Sequence, residues 1–511
     1  LNGDVYVTTI DFSTTKQITC TPERERCVDF RADGRAVVYD SERGGIWSIY
    51  ESEIVNDKEA VMTYCTELKE RRFTDGVTTS FQPQYSPDGK KVAYFQNREA
   101  ICVVDVKSGK MHTTMDAKYT YSYSDGDQYF TWSPDGKWLL ANYMGNGGWN
   151  NVDVALIDAE GKDEPVNLTQ SGYTDSRPRW VMGGKAMIFA SDRAGYRSHG
   201  SWGAHRDVYI TFFDDEAYNK FRMNKEDRSL LEESEKKDKK SEKKDSTEKE
   251  KKVEALELQL DNLDDRTMRL TFQSSHLSDA VMNNEGTRLY YLAPHNGNMA
   301  LWVRDFVEER TELKMQRIDA RSFQLDKSGN TCYFIGQGGT LCQLNLNSAS
   351  VKTIPFEAFT VTQPAKTQAY NFEHIGRQTK EKLYDPGMNG ADWERLYTTY
   401  KRFLPHINNG YDFAEMASEL LGELNVSHTG CRYHAPSSSL PVAQLGIIPD
   451  ETYQGEGIRV AEVLSGGPLD VCKDIKAGSI ITSIDGMKIE ACADYYPMLA
   501  GNAGKATRLT H

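Results

Sequence analysis

Ser427 and His428 are the residues of this chain best suited to chemistry, in the run Gly422-Glu423-Leu424-Asn425-Val426-Ser427-His428-Thr429-Gly430. Imidazole titrates near neutrality, which makes His the commonest general base. A base must be held by a rigid element, and an apolar helix leads straight into this pair. No convincing nucleophile motif occurs elsewhere in the 511 residues. The expectation is therefore most of an enzyme, carrying its base but not its nucleophile. On residue type alone, His428 could instead be a cation at a helix C-terminus. Ser427 could likewise make only a local backbone hydrogen bond.

The elements that would position the pair are helical. Beyond about Ala369 the apolar period changes from two to 3.6. Asn389 or Asp392 can cap a helix running to Phe403, with Trp393, Leu396, Tyr397, Tyr400 and Phe403 on one face. Pro405 ends it. A second helix is expected from Asp412 to Leu424, with Phe413, Met416, Leu420, Leu421 and Leu424 turned inward.

Ahead of these helices lies an internal repeat. Its copies include Phe30-Arg31-Ala32-Asp33-Gly34, Tyr85-Ser86-Pro87-Asp88-Gly89 and Trp132-Ser133-Pro134-Asp135-Gly136, each followed by an alternating strand. Weaker copies place Gly at 184, 286 and 329, so successive intervals are 55, 47, 48, 102 and 43 residues. Asp-Gly is a hairpin signal because Gly accepts positive φ. Four short strands per 40–50 residues is the period of a propeller blade. Residues 1–365 are thus expected to form a β-propeller of six or seven blades, the WD40 or TolB-like type of repeat. A β-sandwich array is the alternative. The Asp residues of these turns are structural, not catalytic acids.

The double interval holds an insertion at about 224–265. Between Glu232 and Lys252 it is nearly all Glu, Lys, Asp and Ser, which predicts a solvated loop or frayed helix. A partner-binding segment is the sharper alternative. After a helical segment at 366–440, a third pattern fills 441–511: Leu445-Gly446-Ile447, a Gly466-Gly467-Pro468 turn and Ile481-Thr482-Ser483-Ile484-Asp485-Gly486. Short strands with these turns predict a PDZ-like α+β module, cut short at its C-terminus. Such modules bind extended peptides as an added strand, and Leu445, Gly446 and Ile447 are its candidate binding edge.

The composition is 39% hydrophobic, 27% charged and 11% aromatic, with a net charge of −14. That acidity argues against nucleic acid and against an anionic membrane surface. No apolar run approaches the ~20 residues of a membrane span. The nine Cys form no Cys-x-x-Cys pair and show no zinc spacing. They read as buried thiols, with one or two disulfides as the alternative. No metal or cofactor is expected. A metal at His199 and His205, which flank Trp202, is the weak exception, and His434 reads as solvent-exposed. Both ends begin or stop within strand-like sequence, so the expectation is a truncated chain.

Leu383-Tyr384-Asp385-Pro386, Gly390-Ala391-Asp392-Trp393, Leu404-Pro405 and Leu421 through Thr429 resemble the tricorn protease family. Phe189-Ala190-Ser191-Asp192-Arg193-Ala194-Gly195 resembles the second propeller of its bacterial members. These are serine peptidases of the tail-specific protease clan, peptidase family S41. The resemblance covers nearly the whole chain, from the second propeller through the PDZ domain. It implies a serine endopeptidase that degrades oligopeptides, with His428 as catalytic base and Ser427 as an accessory group. It also implies a homo-hexamer, a cytoplasmic location, and a propeller that gates passage. Because the N-terminus is not defined, a periplasmic or envelope location stays open. The nucleophile, oxyanion hole and acidic partner would lie in a further segment, so these 511 residues alone should be inactive. Asn389 stands where the family often has His. The rival reading is a non-catalytic propeller–PDZ scaffold that binds peptides; a TolB-like sensor fits less well, since it needs neither the helices nor the last module.

Overall fold

The computed structural model describes residues 3–145, 151–197, 203–231, 233, 255–361, 363–434 and 441–511. They form two compact units, Leu1–Met388 and Asn389–His511.

The first unit is a β-propeller. Among the described residues it contains six four-stranded antiparallel sheets, each built from strands consecutive in sequence, and one two-stranded sheet. The two-stranded sheet pairs Tyr6–Thr8 with Thr15–Gln17 and packs its Val5 and Val7 against Val37, Tyr39 and Ile54 of the first full blade. It therefore stands as a partial blade beside six complete ones.

The repeat motif falls at the same place in each blade, between the first and second strands. In the Ser86–Gly89 turn, the Gly89 amide donates to the Ser86 carbonyl (2.8 Å) and the Lys90 amide to Asp88 Oδ1 (3.1 Å). Gly89 and Gly136 take φ of +69° and +67°, a conformation that a side chain would strain. The strand that follows is buried on both faces, as in Lys91–Gln96, because it lies between neighbouring blades.

The cores lie between blades. Phe81, Phe95, Ile101, Phe130, Leu139 and Ile157 join the second blade to the third. Burying each such side chain stabilises by about 2 kcal/mol. Polar clips add register: Asp29 accepts the Tyr85 amide of the next blade (2.8 Å), and Asp279 accepts that of Phe323 (2.7 Å). The first strands of the blades surround an axial cavity of about 1260 Å³, with Ile10, Cys27, Gln82, Tyr129, Arg179 and Phe323 among its walls.

The insertion separates the third and fourth strands of one blade, Asp207–Phe212 and Thr267–Arg269. Its central part, 234–254, lies outside the described residues. Its flanks are ordered. Helix α1, Asp215–Arg222, is capped by Asp214, whose Oδ1 accepts the Ala217 amide (2.6 Å). Leu258, Leu260 and Leu263 pack on the blade core around Met187 and Phe189. Leu258, Leu260 and Leu263 fall in the 224–265 insertion but beyond its charged 232–252 run, so the edge of the insertion packs on the propeller.

Helix α2, Pro364–Lys382, closes the first unit. It rests on the first blade through Glu42, which accepts from Tyr370, His374 and Arg377. In the second unit, α3, Trp393–Lys401, packs against α4, Gly410–Gly422. Asp392 and Asn409 cap them, accepting the amides of Arg395 (3.2 Å) and Asp412 (2.9 Å). The expected helix to Phe403 ends two residues sooner, and Phe403 is exposed.

A small module follows. Ile447–Pro449, Ile458–Val463 and Ile480–Ile481 form one sheet; Met487–Lys488, Ser483–Ile484 and Leu509–Thr510 form another. Leu445, Ile458, Val460, Ile481, Ile484 and Leu499 fill its core. Asp485 and Gly486, with φ of +48° and +81°, make the two-residue turn that Asp-Gly predicts. Of the nine Cys, Cys65, Cys102, Cys332 and Cys342 are buried thiols, while Cys20, Cys27 and Cys492 are exposed, which the expectation of uniform burial missed. No described helix is long and apolar enough to cross a membrane.

Candidate active-site turn

Helix α4 delivers Ser427 and His428 through a defined ending. The amides of Glu423, Leu424 and Asn425 bond back to Glu419, Leu421 and Gly422 (3.2, 3.3 and 3.0 Å). Asn425 then takes a left-handed conformation, φ +49°, which stops the helix. Leu424, 1% exposed, anchors the stop in the helical core.

The carbonyls at this end belong to Asn389. Its Nδ2 donates to Leu424 O (3.1 Å) and Asn425 O (3.0 Å). His428 is thus not the group that satisfies the helix end. Its own contact is local: Ser427 Oγ and His428 Nδ1 are hydrogen-bonded. Both residues are exposed. His428 also has φ +63°, an uncommon backbone state for a residue with a side chain. Such outliers cluster where geometry serves function.

Beyond His428 the chain doubles back along α4. Ser418 Oγ donates to Cys431 O (2.9 Å) and accepts the Cys431 amide (2.8 Å). The Tyr433 ring meets Tyr411 edge-on at 5.0 Å. The Ser-His turn is therefore pinned on both sides, at Asn389 before it and Ser418 after it. An imidazole whose Nδ1 is engaged can present Nε2 as the proton acceptor. His434 is exposed, as expected.

The other candidates are separate. Leu445 is buried, and Gly446 takes φ +71°. A Cβ on Gly446 would meet Pro468 Cδ at 2.7 Å, so only glycine fits there. Ile447 begins the outer strand of its sheet, paired with Ile458–Val463 on one side. His199 and Trp202 lie outside the described residues. His205 instead meets the His276 ring at 4.5 Å. Among the described residues no cluster of three or more His, Cys, Asp or Glu could hold a metal.

Comparison with known proteins bears on this arrangement. Residues 364–422 match the family model of the tricorn protease C1 domain. Tricorn protease homolog 1 of Streptomyces coelicolor is 21% identical over 461 residues, which is 83% of this chain and 41% of that protein. The crystal structure of the tricorn protease superposes with a TM-score of 0.63 at 14% identity, covering 99% of this chain and 48% of that one. The chain is similar to tricorn-like proteases over most of its length.

The chain spans less than half the length of each of these relatives. The matched C1 segment ends at Gly422, five residues before Ser427, so helices α2 to α4 carry the family signal and the turn continues from them. Ser418 and Glu42 were not assigned roles from the sequence, and Asn389, offered there as a helix cap, instead holds the end of α4, the cap of α3 being Asp392. Ser418 and Asn389 act through contacts 13 to 36 residues away, and Glu42 through one more than 300 residues away.

Proposed function

We propose that this chain supplies the general base and the substrate-handling domains of a serine peptidase acting on oligopeptides. The observation that carries the proposal is the Ser427–His428 contact on a turn pinned at the end of the C1 helices. His428 Nε2 takes the proton of an attacking serine hydroxyl, holds it through the tetrahedral intermediate, and gives it to the leaving amine as the acyl-enzyme forms. Ser427, bonded to Nδ1, keeps the ring in the tautomer and orientation that this transfer needs. The nucleophile and oxyanion donors are not assigned among these 511 residues.

The remaining domains fit the same reading. The axial cavity exceeds the ~300–1,000 Å³ of small-molecule sites and suits passage of an extended peptide. The 441–511 module is proposed to be PDZ-like, with Leu445, Gly446 and Ile447 at a strand edge that accepts a peptide. Hexamer formation and a cytoplasmic setting are further proposals by resemblance.

A serine-directed phosphonylating probe tests the reaction class. In the longest natural polypeptide that carries this sequence, the probe should stop peptide hydrolysis. Hydrolysis that resists it, or that is lost to a chelator instead, would overturn the serine mechanism. Peptide binding without hydrolysis would favour the propeller–PDZ scaffold.

A further inference from the structure

A second cavity, about 270 Å³, opens between the blade of Asp175–Val181 and that of Asp279–Met282. Ile188 lines both this cleft and the axial cavity, so the two are adjacent. Three guanidinium-bearing residues line it, Arg206 half-buried and Arg177 and Arg321 exposed. Its other walls include the apolar Ile188, Phe189 and Leu277.

The charge in this cleft is not balanced by its own residues. Asp279 is the one acidic lining residue, and it is fully engaged. Arg179 grips both its oxygens (3.0 and 2.9 Å), while the amides of Ala280 and Phe323 donate to it as well. Arg177 donates to a neutral acceptor, the Ser278 carbonyl (2.8 Å). Among the described residues none of the three cleft arginines forms an ion pair. Burial, then the like charge of Arg177, hold Arg206 below its ordinary value, against the pull of Asp192. Asp192 is itself buried and paired with Arg197 (3.3 Å). Other propeller arginines do find carboxylates, as Arg193 does at Asp175 (2.5 Å) and Arg269 at Asp207 (2.8 Å).

Cations without carboxylate partners beside an apolar wall suit a carboxylate attached to an apolar body. We infer that this interblade cleft is an anion subsite of the propeller, which takes a carboxylate of an oligopeptide passing along the adjacent axial cavity. The inference rests on the peptide-handling reading above. The carboxylate can come from the peptide's C-terminus or from an acidic side chain.

Binding, not turnover, tests it. Three fluorescent hexapeptides with an apolar last residue serve as probes: a free acid, its C-terminal amide, and an amide carrying one internal Glu. Fluorescence anisotropy with the 511-residue chain should show at least one carboxylate peptide binding on the order of tenfold tighter than the neutral amide. Tighter binding of the free acid alone identifies the terminus as the source. Equal gain by the Glu amide identifies any carboxylate. Arg206→Gln should abolish the preference, and Arg206→Lys, which keeps the charge, should retain part of it with an unchanged melting temperature. Equal binding of all three peptides, no binding of any, or a preference that survives Arg177→Gln/Arg206→Gln would overturn the inference. The His428→Ala variant should bind all three peptides like the parent, so failure of the peptidase reading is seen separately.

Discussion

His374 Nδ1 lies 2.6 Å from Glu42 Oε2, across 332 residues of sequence, and this contact seats helix α2 on the first blade. Tyr370 Oη donates to the same oxygen (2.6 Å) and Arg377 Nε to the other (3.2 Å). Glu42 is 1% exposed, so its charge depends on these donors. Burial raises its pKa, but the hydrogen bonds of His374, Tyr370 and Arg377 outweigh that and hold it below the ordinary 4.5.

Glu42→Ala should therefore loosen α2. Removing one partner of a buried charged cluster costs about 3 kcal/mol, or roughly a hundredfold in local opening. Hydrogen exchange over 364–382 should accelerate by that order. Protection equal to that of the parent would show that apolar packing alone seats the helix. The pH dependence has a definite sign. A depressed carboxyl stabilises fully above its unfolded pKa and loses that contribution as pH falls through the folded value. Glu42→Gln should flatten the acid limb below about pH 4.5.

Asp40 predicts the opposite slope. Full burial pushes its carboxyl up to about 6, although Arg26, the Gln82 amide and Cys27 pull it down. A raised carboxyl contributes stability below its unfolded value of 3.8 and loses it as pH rises through 6. Between pH 4 and 7 the first blade should weaken by on the order of 2 kcal/mol, and Asp40→Asn should remove that trend. Titration of Asp40 near 3.8, followed by carbonyl NMR, would contradict this.

Asn389→Ala should leave the carbonyls of Leu424 and Asn425 without their side-chain donor. The expected cost is about 1–2 kcal/mol, with amide exchange near 424–428 roughly tenfold faster or more. Turnover should fall with it, since the turn that carries His428 loses its near-side pin. Unchanged exchange would mean that Leu424 burial holds the stop by itself.

The propeller was largely legible because its signal is local. An Asp-Gly turn and an alternating strand recur at a blade's spacing, and Gly89 and Gly136 adopt the positive φ that the turn requires. The caps at Asp392 and Asn409 are equally local, although only Asp392 was among the expected candidates. What could not be read was distant or unusual in backbone. Nothing near Glu42 in sequence points to His374. The positive φ of His428 and the paired bonds of Ser418 to Cys431 have no composition signature. The packed flank at Leu258 and Leu260 was hidden by the charged run beside it.

Gly446→Ala should damage the 441–511 module specifically. A methyl there meets Pro468 at 2.7 Å and forces a side chain into φ +71°. A loss of about 1–3 kcal/mol is expected, together with loss of strand-edge peptide binding. Retained peptide affinity in a folded Gly446→Ala variant would place the binding edge elsewhere.

The most direct measurement is peptide hydrolysis by His428→Ala in the longest natural polypeptide that carries this sequence. If His428 is the general base, kcat should fall by about 10⁴-fold or more while circular dichroism and melting temperature stay those of the parent. Ser427→Ala should cost less, about ten- to a hundredfold, because it orients the ring rather than moving the proton. Hydrolysis at the parental rate by a folded His428→Ala protein would contradict the account.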